Sequence, residues 1–325
     1  YETIEDTQKE INQLLDTTTS QALFDMKESC ASLMEIVDAN ARKVGDNTGA
    51  PYSLNELNKH TGGQHLGELI GVASESQMGK TSFVLDTMVA CAMEDIPTCL
   101  FSMEMNKGTL ASRVVSKFCG LSGSSILTKK LDSNGFKMLD KGIGAVAGFP
   151  IYVDERTDRT PSDICNSIRM YHRKYGIQHF YIDYVQMLKF KVNGDEKELA
   201  ESARLFKNVA KSENVSVTIL LQLRDGNITI PEDLIPTLKR MRGSKQIEDA
   251  CDNVIIIYNP NKYPTMNLRF PGRWASVESK NKAWIHLAKG RNVGQTDFLC
   301  DWEGSTTSFK DLGDRIDIEE ANNNI

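Results

Sequence analysis

Leu69-Ile70-Gly71-Val72-Ala73-Ser74-Glu75-Ser76-Gln77-Met78-Gly79-Lys80-Thr81-Ser82 is the stretch that decides the fold. Its first five residues are apolar or small on both faces, as a buried parallel strand requires. A run of small and polar residues follows, and then an amphipathic segment carrying Phe83, Val84, Met88 and Cys91. Strand, loop and helix in that order form the setting of a phosphate-binding loop, in which backbone N–H groups and a helix N-terminus meet phosphate oxygens. In that pattern Ser74 to Ser82 cradle the nucleotide, Lys80 reaches the β and γ phosphates, and Thr81 ligates Mg²⁺. Ser74 stands where the usual pattern has its first glycine, and serine resists backbone angles that glycine permits. The flanking strand and helix carry the assignment despite that substitution.

Outward from this loop, the runs 98–103, 151–153, 179–183, 217–221 and 253–257 are mostly apolar on both faces. Helical segments separate them. Thr160 is placed to cap a helix with Pro161 at its first position, Asp163 near its start, Ile164, Ile168, Tyr171 and Tyr175 on one face, and Gly176 beyond its end. Leu199, Ala203, Phe206 and Ala210 form a second helical stripe. This alternation predicts an α/β fold: a mostly parallel central sheet with helices on both faces. The runs 284–287 and 297–300 are expected to add antiparallel strands near one edge. Two strands end in carboxylates. Asp183 closes an apolar strand, where a residue that holds magnesium sits, or it simply caps the next element. Glu104 follows the strand after the phosphate loop, where it can orient and deprotonate water or merely start a helix.

Composition sets limits on function. With 40% apolar and 25% charged residues, the 325-residue chain has the make-up of a globular protein with one large domain and an appendage. No stretch approaches the ~18 apolar residues of a membrane span, and the N-terminus is polar and acidic, so the expectation is a cytoplasmic protein with no membrane partner. Seven cysteines, odd in number and without a C-x-x-C pair, read as buried reduced thiols. His172, His179 and His286 lack metal-ligand spacing. A formal charge of -6 excludes a protein that coats nucleic acid with its whole surface, leaving local clusters for that task. Lys239, Arg240, Arg242 and Lys245 make such a cluster, although alone it reads equally as a solvated loop. Residues 1–44 read as a helical extension broken near Thr17 to Ser20, Gly45 to Pro51 as a linker, 45–310 as the main domain, and 311–325 as a disordered acidic tail.

Taken in order, several segments resemble the C-terminal ATPase domain of DnaB-type replicative helicases over about residues 48 to 310. They are Tyr52-Ser53-Leu54-Asn55-Glu56-Leu57-Asn58 with Thr61-Gly62-Gly63, Met78-Gly79-Lys80-Thr81, Phe101-Ser102-Met103-Glu104-Met105, Ile182-Asp183-Tyr184-Val185-Gln186-Met187, Leu221-Gln222-Leu223, Arg242 to Asp252, and Lys289-Gly290-Arg291-Asn292. The resemblance implies a RecA-like core that binds ATP and Mg²⁺, with Lys80 and Thr81 on nucleotide and metal, Asp183 completing the metal site and Glu104 activating water. It further implies that Gln222 senses the γ-phosphate and that Lys289 and Arg291 reach the neighbouring subunit's nucleotide, although the residues alone read as decoration of an edge strand. Arg242, Gly243, Ser244 and Lys245 match the family's loop on single-stranded DNA, with glycine and lysine departing from its usual Arg-Glu-Ser-Gly order.

The function so implied is a homo-hexameric motor that translocates 5′ to 3′ on single-stranded DNA and unwinds the replication fork, with primase and a helicase loader as further partners. Residues 1–44 are similar in placement to the family's linker, including a helix that packs on the adjacent subunit; most of the preceding domain has no counterpart, as in a truncated chain or a shorter relative. Two alternatives share the core: a RecA-like recombinase or recombination mediator, and a nucleotide-gated assembly module.

Overall fold

The computed structural model describes residues 24–42, 47–190, 196–240 and 244–312. Residues before Gly49 form a unit of their own. Its described part is helix α1 (Met26–Ala41), started by a reciprocal capping box between Asp25 and Glu28, with no residue buried. Cys30 lies on this helix and is exposed, so the expectation of buried thiols fails there; the other six cysteines are buried and free. The expected helix break near Thr17 and the acidic tail beyond Leu312 lie outside the described residues.

From Gly49 onward the elements are α2 (Asn55–Thr61), β1 (Leu69–Ser74), α3 (Lys80–Met93), β2 (Thr98–Ser102), α4 (Lys107–Cys119), α5 (Gly123–Thr128), α6 (Ser133–Val146), β3 (Ile151–Asp154), α7 (Pro161–Tyr175), β4 (His179–Asp183), α8 (Glu196–Ser212), β5 (Ser216–Gln222), α9 (Ser244–Ala250), β6 (Asn253–Tyr258), β7 (Lys282–Gly290), β8 (Thr296–Glu303) and β9 (Ser308–Lys310). The nine strands form one sheet in the order β3-β2-β4-β5-β1-β6-β7-β8-β9. The first six are parallel, and β7, β8 and β9 continue antiparallel. The expected mostly parallel sheet is present.

Side-chain alternation along each central strand divides the core into two layers. Leu69, Ala73, Phe180, Ile182, Val217 and Ile219 pack with Ile164 and Ile168 of α7 and with Leu199 and Phe206 of α8. Ile70, Val72, Tyr181, Leu220 and Ile255 face the other way, onto Phe83 and Met88 of α3 and Leu110 of α4. Helix α7 starts and stops where the sequence predicts: Thr160 and Asp163 form a capping box, Pro161 opens the helix, and Gly176 closes it at φ +67°. Among the described residues no helix is long and apolar enough to cross a membrane.

Two expectations need correction. Residues 151–153 are not buried on both faces, because β3 is an edge strand: Tyr152 is 42% exposed and stacks on Tyr175, itself 44% exposed. The end of the expected linker is not free either, since Ala50 bridges to Gln64 and Gly49 lies so close that an added Cβ would meet the Gln64 carbonyl oxygen at 2.5 Å.

The end of β3 is fixed by charge. Buried Asp154 holds Arg159 at 2.8 Å and Arg156 at 2.6 Å, and accepts the Tyr171 hydroxyl at 3.0 Å. Burial raises its pKa, but the Arg156 and Tyr171 bonds outweigh that effect and hold the carboxyl below its ordinary value. A depressed carboxyl contributes stability above its unfolded pKa of about 3.9 and loses it as pH falls through the lower folded value. Asp154→Ala, which strands the buried Arg159, is expected to cost about 3–5 kcal/mol in urea unfolding at pH 7. For Asp154→Asn, the loss relative to the unsubstituted chain is expected to shrink once the pH drops below about 4; a pH-independent difference would contradict the assignment.

Candidate nucleotide site

Parallel strands bring their C-terminal ends to one edge, where ligands of open α/β sheets bind. Ser74 pairs with Gln222 across β1 and β5, and Ser102 pairs with Asp183 across β2 and β4. The ladder continues one residue past each strand: Leu223 N–H donates to the Ser74 carbonyl at 2.9 Å, and Met103 N–H to the Asp183 carbonyl at 3.1 Å. Glu104 is thereby carried to the same edge as the phosphate loop.

The loop turns at Gly79, which has φ +98° and precedes the first residue of α3. Only glycine takes that angle at low cost. Space demands glycine as well, because an added Cβ would lie 2.7 Å from Cζ of Phe309. Beyond the turn, the Lys80 ammonium donates to the carbonyls of Ser74 and Glu75, each at 3.0 Å. Burial lowers its pKa to about 8, and the negative charges of Asp183 and Glu104 work against that shift. The Thr81 hydroxyl donates to Asp183 at 2.7 Å. Asp183 is 1% exposed, and burial raises its pKa; the Thr81 bond opposes the rise, whereas the negative charge of Glu104 adds to it.

A cavity of about 160 Å³ is lined by Ser76, Gln77, Gly79, Lys80, Thr81 and Ser82, together with Glu104, Asp183 and Gln222. Most of the nominated residues therefore meet in one place. Ser74, Glu75 and Met78 do not line it. Their side chains are fully buried beneath the loop, Met78 among Tyr258, Phe270 and Trp274, so within the loop they act as anchors. Arg113, from α4, also faces the cavity; burial lowers its pKa while Asp183 and Glu104 pull it up. Sequence reasoning missed it, since one arginine on a helix's polar face carries no signal. Gln186 was missed as a brace: its side-chain amide exchanges hydrogen bonds with the Gln222 backbone at 3.2 and 3.3 Å.

Lys289 and Arg291 sit elsewhere. Through the β6–β7 register they lie at the opposite end of the sheet, beside the start of β1, where Asp252 bonds the Leu69 N–H at 2.8 Å. Six strand residues at about 3.3 Å each separate that end from the phosphate loop, so neither side chain reaches its own chain's cavity. Lys289 donates to the Glu248 carbonyl at 2.5 Å, and Arg291 to Asp252 at 2.7 Å and to the Asp249 carbonyl at 3.4 Å. Both thus hold the end of α9. Of the basic cluster, Lys239 and Lys245 are exposed. Arg240 is turned inward onto Glu75 and is not available to an external phosphate. Arg242, Gly243 and the Ser244 side chain lie outside the described residues.

Comparison with known proteins places this geometry. The profile of the DnaB-like helicase C terminal domain matches residues 49–311. The chain belongs to that family. Relatives of this DnaB-like domain include the replicative DNA helicase DnaB of Leifsonia xyli subsp. xyli, 27% identical over 315 residues that cover 95% of this chain and 66% of the relative. The replicative DNA helicase DnaC of Bacillus subtilis is 25% identical over 293 residues, covering 89% and 62%. The chain thus spans slightly under two thirds of the length of these relatives. Two solved structures share the fold: an ATPase domain determined by itself (TM-score 0.76, 23% identity, 89% of this chain and 99% of that one) and a DnaB-like replicative helicase described with its interactions with primase (TM-score 0.75, 23% identity, 94% and 72%). The DnaB-like domain has the RecA-like core that the resemblance implied.

Gly79→Ala in this DnaB-like domain is expected to lower stability by at least the ~1–2 kcal/mol of a left-handed backbone and to remove binding of a fluorescent ATP analogue. Unfolding and binding indistinguishable from the unsubstituted chain would show that the loop does not need this turn.

Proposed function

We propose that the chain is the ATP-hydrolysing motor of a replicative DNA helicase, working as a ring of six copies that moves 5′ to 3′ on single-stranded DNA and parts the fork. The observation that carries this reading is a division of the site: Lys80, Thr81, Asp183, Glu104 and Gln222 share one cavity, while Lys289 and Arg291 lie at the far end of the same sheet. A nucleotide in that cavity meets Arg291 only if a second copy supplies it. An arginine provided in trans spreads transition-state charge and contributes about 10³–10⁵ in rate.

The Thr81 hydroxyl and Asp183 carboxylate are hard oxygen donors 2.7 Å apart, which suits Mg²⁺, an ion that takes one or two protein oxygens and completes its shell with phosphate oxygens and water. Among the described residues no group of three or more His, Cys, Asp or Glu forms a self-sufficient metal cage, consistent with an ion that arrives with nucleotide. The bound ion neutralises phosphate charge. Lys80 and Arg113 add positive charge around the phosphates, Glu104 accepts the proton of the attacking water, and Gln222, braced by Gln186, follows the γ-phosphate. The basic segment from Arg242 to Lys245 contacts the DNA backbone, six copies concentrating positive charge in a pore inside an otherwise acidic protein. In this reading α1, with Leu33, Met34, Ile36 and Val37 exposed, rests on a neighbouring copy. Primase and a loader are further partners.

Glu104→Gln is expected to retain ATP binding and to lose DNA-stimulated turnover by at least 10²-fold, the lower end of what a positioned proton acceptor contributes. Arg291→Ala and Lys80→Ala are each expected to be inactive alone. Mixed rings of the two variants are expected to regain activity at those seams where an intact Lys80 faces an intact Arg291. Hydrolysis by Arg291→Ala alone at the unsubstituted rate would overturn the shared site.

A further inference from the structure

A carboxylate in a loop that gathers phosphate anions needs an explanation. Glu75 is 0% exposed and does not line the nucleotide cavity. Its two oxygens take four partners: the Arg240 guanidinium and the Gly226 N–H (3.0 Å) on one, the Lys262 ammonium (3.1 Å) and the Tyr263 hydroxyl (3.1 Å) on the other. Arg240 in turn donates to the carbonyls of Arg224 and Asp233, each at 2.7 Å, and of Ile235 at 3.3 Å. One buried guanidinium therefore gathers the whole segment from Arg224 to Arg240 and fastens it to the phosphate loop. That segment begins two residues after Gln222, and Arg240 stands two positions before Arg242 in sequence.

Burial makes such a joint stiff. Exposed ion pairs break and re-form cheaply, but a buried one moves as a unit, because releasing either partner leaves an unpaired charge out of water. Burial raises the Glu75 pKa, yet its cationic partners outweigh that effect and keep the carboxyl ionised and below its ordinary value. Lys262, the second cation on Glu75, is also near enough to Lys80 to lower the latter's pKa, so the joint and the phosphate-binding ammonium feel each other's charge.

We propose that Glu75 is a positioning residue that couples the two ends of the motor: through its ion pair with Arg240, the phosphate loop sets the position of the basic segment that grips DNA. This rests on the reading above that residues 242–245 contact single-stranded DNA. When phosphates reseat the loop, Glu75 carries Arg240 with it, and the residues that follow shift; DNA held by those residues resists the shift and is felt at the loop, since coupling is reciprocal.

The test measures that coupling on the full chain. Affinity for a fluorescent oligo-dT is titrated with and without the slowly hydrolysed analogue ATPγS plus Mg²⁺, and the ratio of the two dissociation constants is compared among variants. The unsubstituted chain is expected to give a ratio within the usual ~5–150-fold range of coupled sites. Arg240→Gln is expected to bring it to within twofold of one, and Arg240→Lys, which keeps the charge opposite Glu75, to restore at least half of it on a logarithmic scale. A ratio unchanged in Arg240→Gln overturns the proposal, as does equal loss in both variants, which would mark Arg240 as a purely structural brace. Should Arg240→Gln fail to fold, Lys262→Gln takes its place, with a reduced ratio expected and an unchanged one overturning the proposal. If the unsubstituted chain binds no oligo-dT in either state, the DNA-contact reading itself falls and this inference with it; a nucleotide-dependent affinity that the variants leave intact sinks this inference alone.

Discussion

A 2.7 Å hydrogen bond between the Thr81 hydroxyl and the Asp183 carboxylate joins the start of a helix to the end of a strand over a hundred residues later. Everything proposed for the site depends on those two oxygens being adjacent. The adjacency is a consequence of parallel pairing: β2 and β4 end in register at Ser102 and Asp183, β1 and β5 at Ser74 and Gln222. A strand slipped by one residue would turn its apolar set to the wrong face. The same burial that fixes the register therefore fixes Asp183, Glu104 and Gln222 around the loop.

The division between the two ends of the sheet follows from the same topology. Strand β7 runs antiparallel to β6, so its last residues emerge where the parallel strands begin. Lys289 and Arg291 hold the end of α9 there, while Arg240 is fastened to the phosphate loop. The basic segment lies in sequence between these two attachments. In the proposed ring, one attachment belongs to the chain's own nucleotide and the other to its neighbour's, which gives two seams a hold on each DNA-contacting segment.

Where local chemistry dictates structure, the sequence was readable. The strand, loop and helix around Lys80 announced the phosphate loop, and the Thr160, Pro161 and Gly176 signals marked both ends of α7, because caps and turns are decided within a few residues. Buried central strands were legible as continuous apolar runs. What could not be read depends on neighbours distant in sequence: that 151–153 would be an uncovered edge, that Arg113 would face the cavity, and that Arg240 would turn inward. A run of four basic residues looks the same whether a member faces solvent or a carboxylate 165 positions away. Cys30 was misjudged for a related reason, since apolar neighbours on α1 gave no sign that the helix buries none of its residues.

The central claim, that each nucleotide pocket is completed by a second copy, is tested most directly by measuring ATP turnover per chain against protein concentration while sedimentation reports assembly under the same conditions, with Mg²⁺ and a long oligo-dT present. The account expects turnover per chain to rise steeply as rings form and to be negligible for the isolated chain. Full-speed hydrolysis by a species that sediments as a monomer would contradict it.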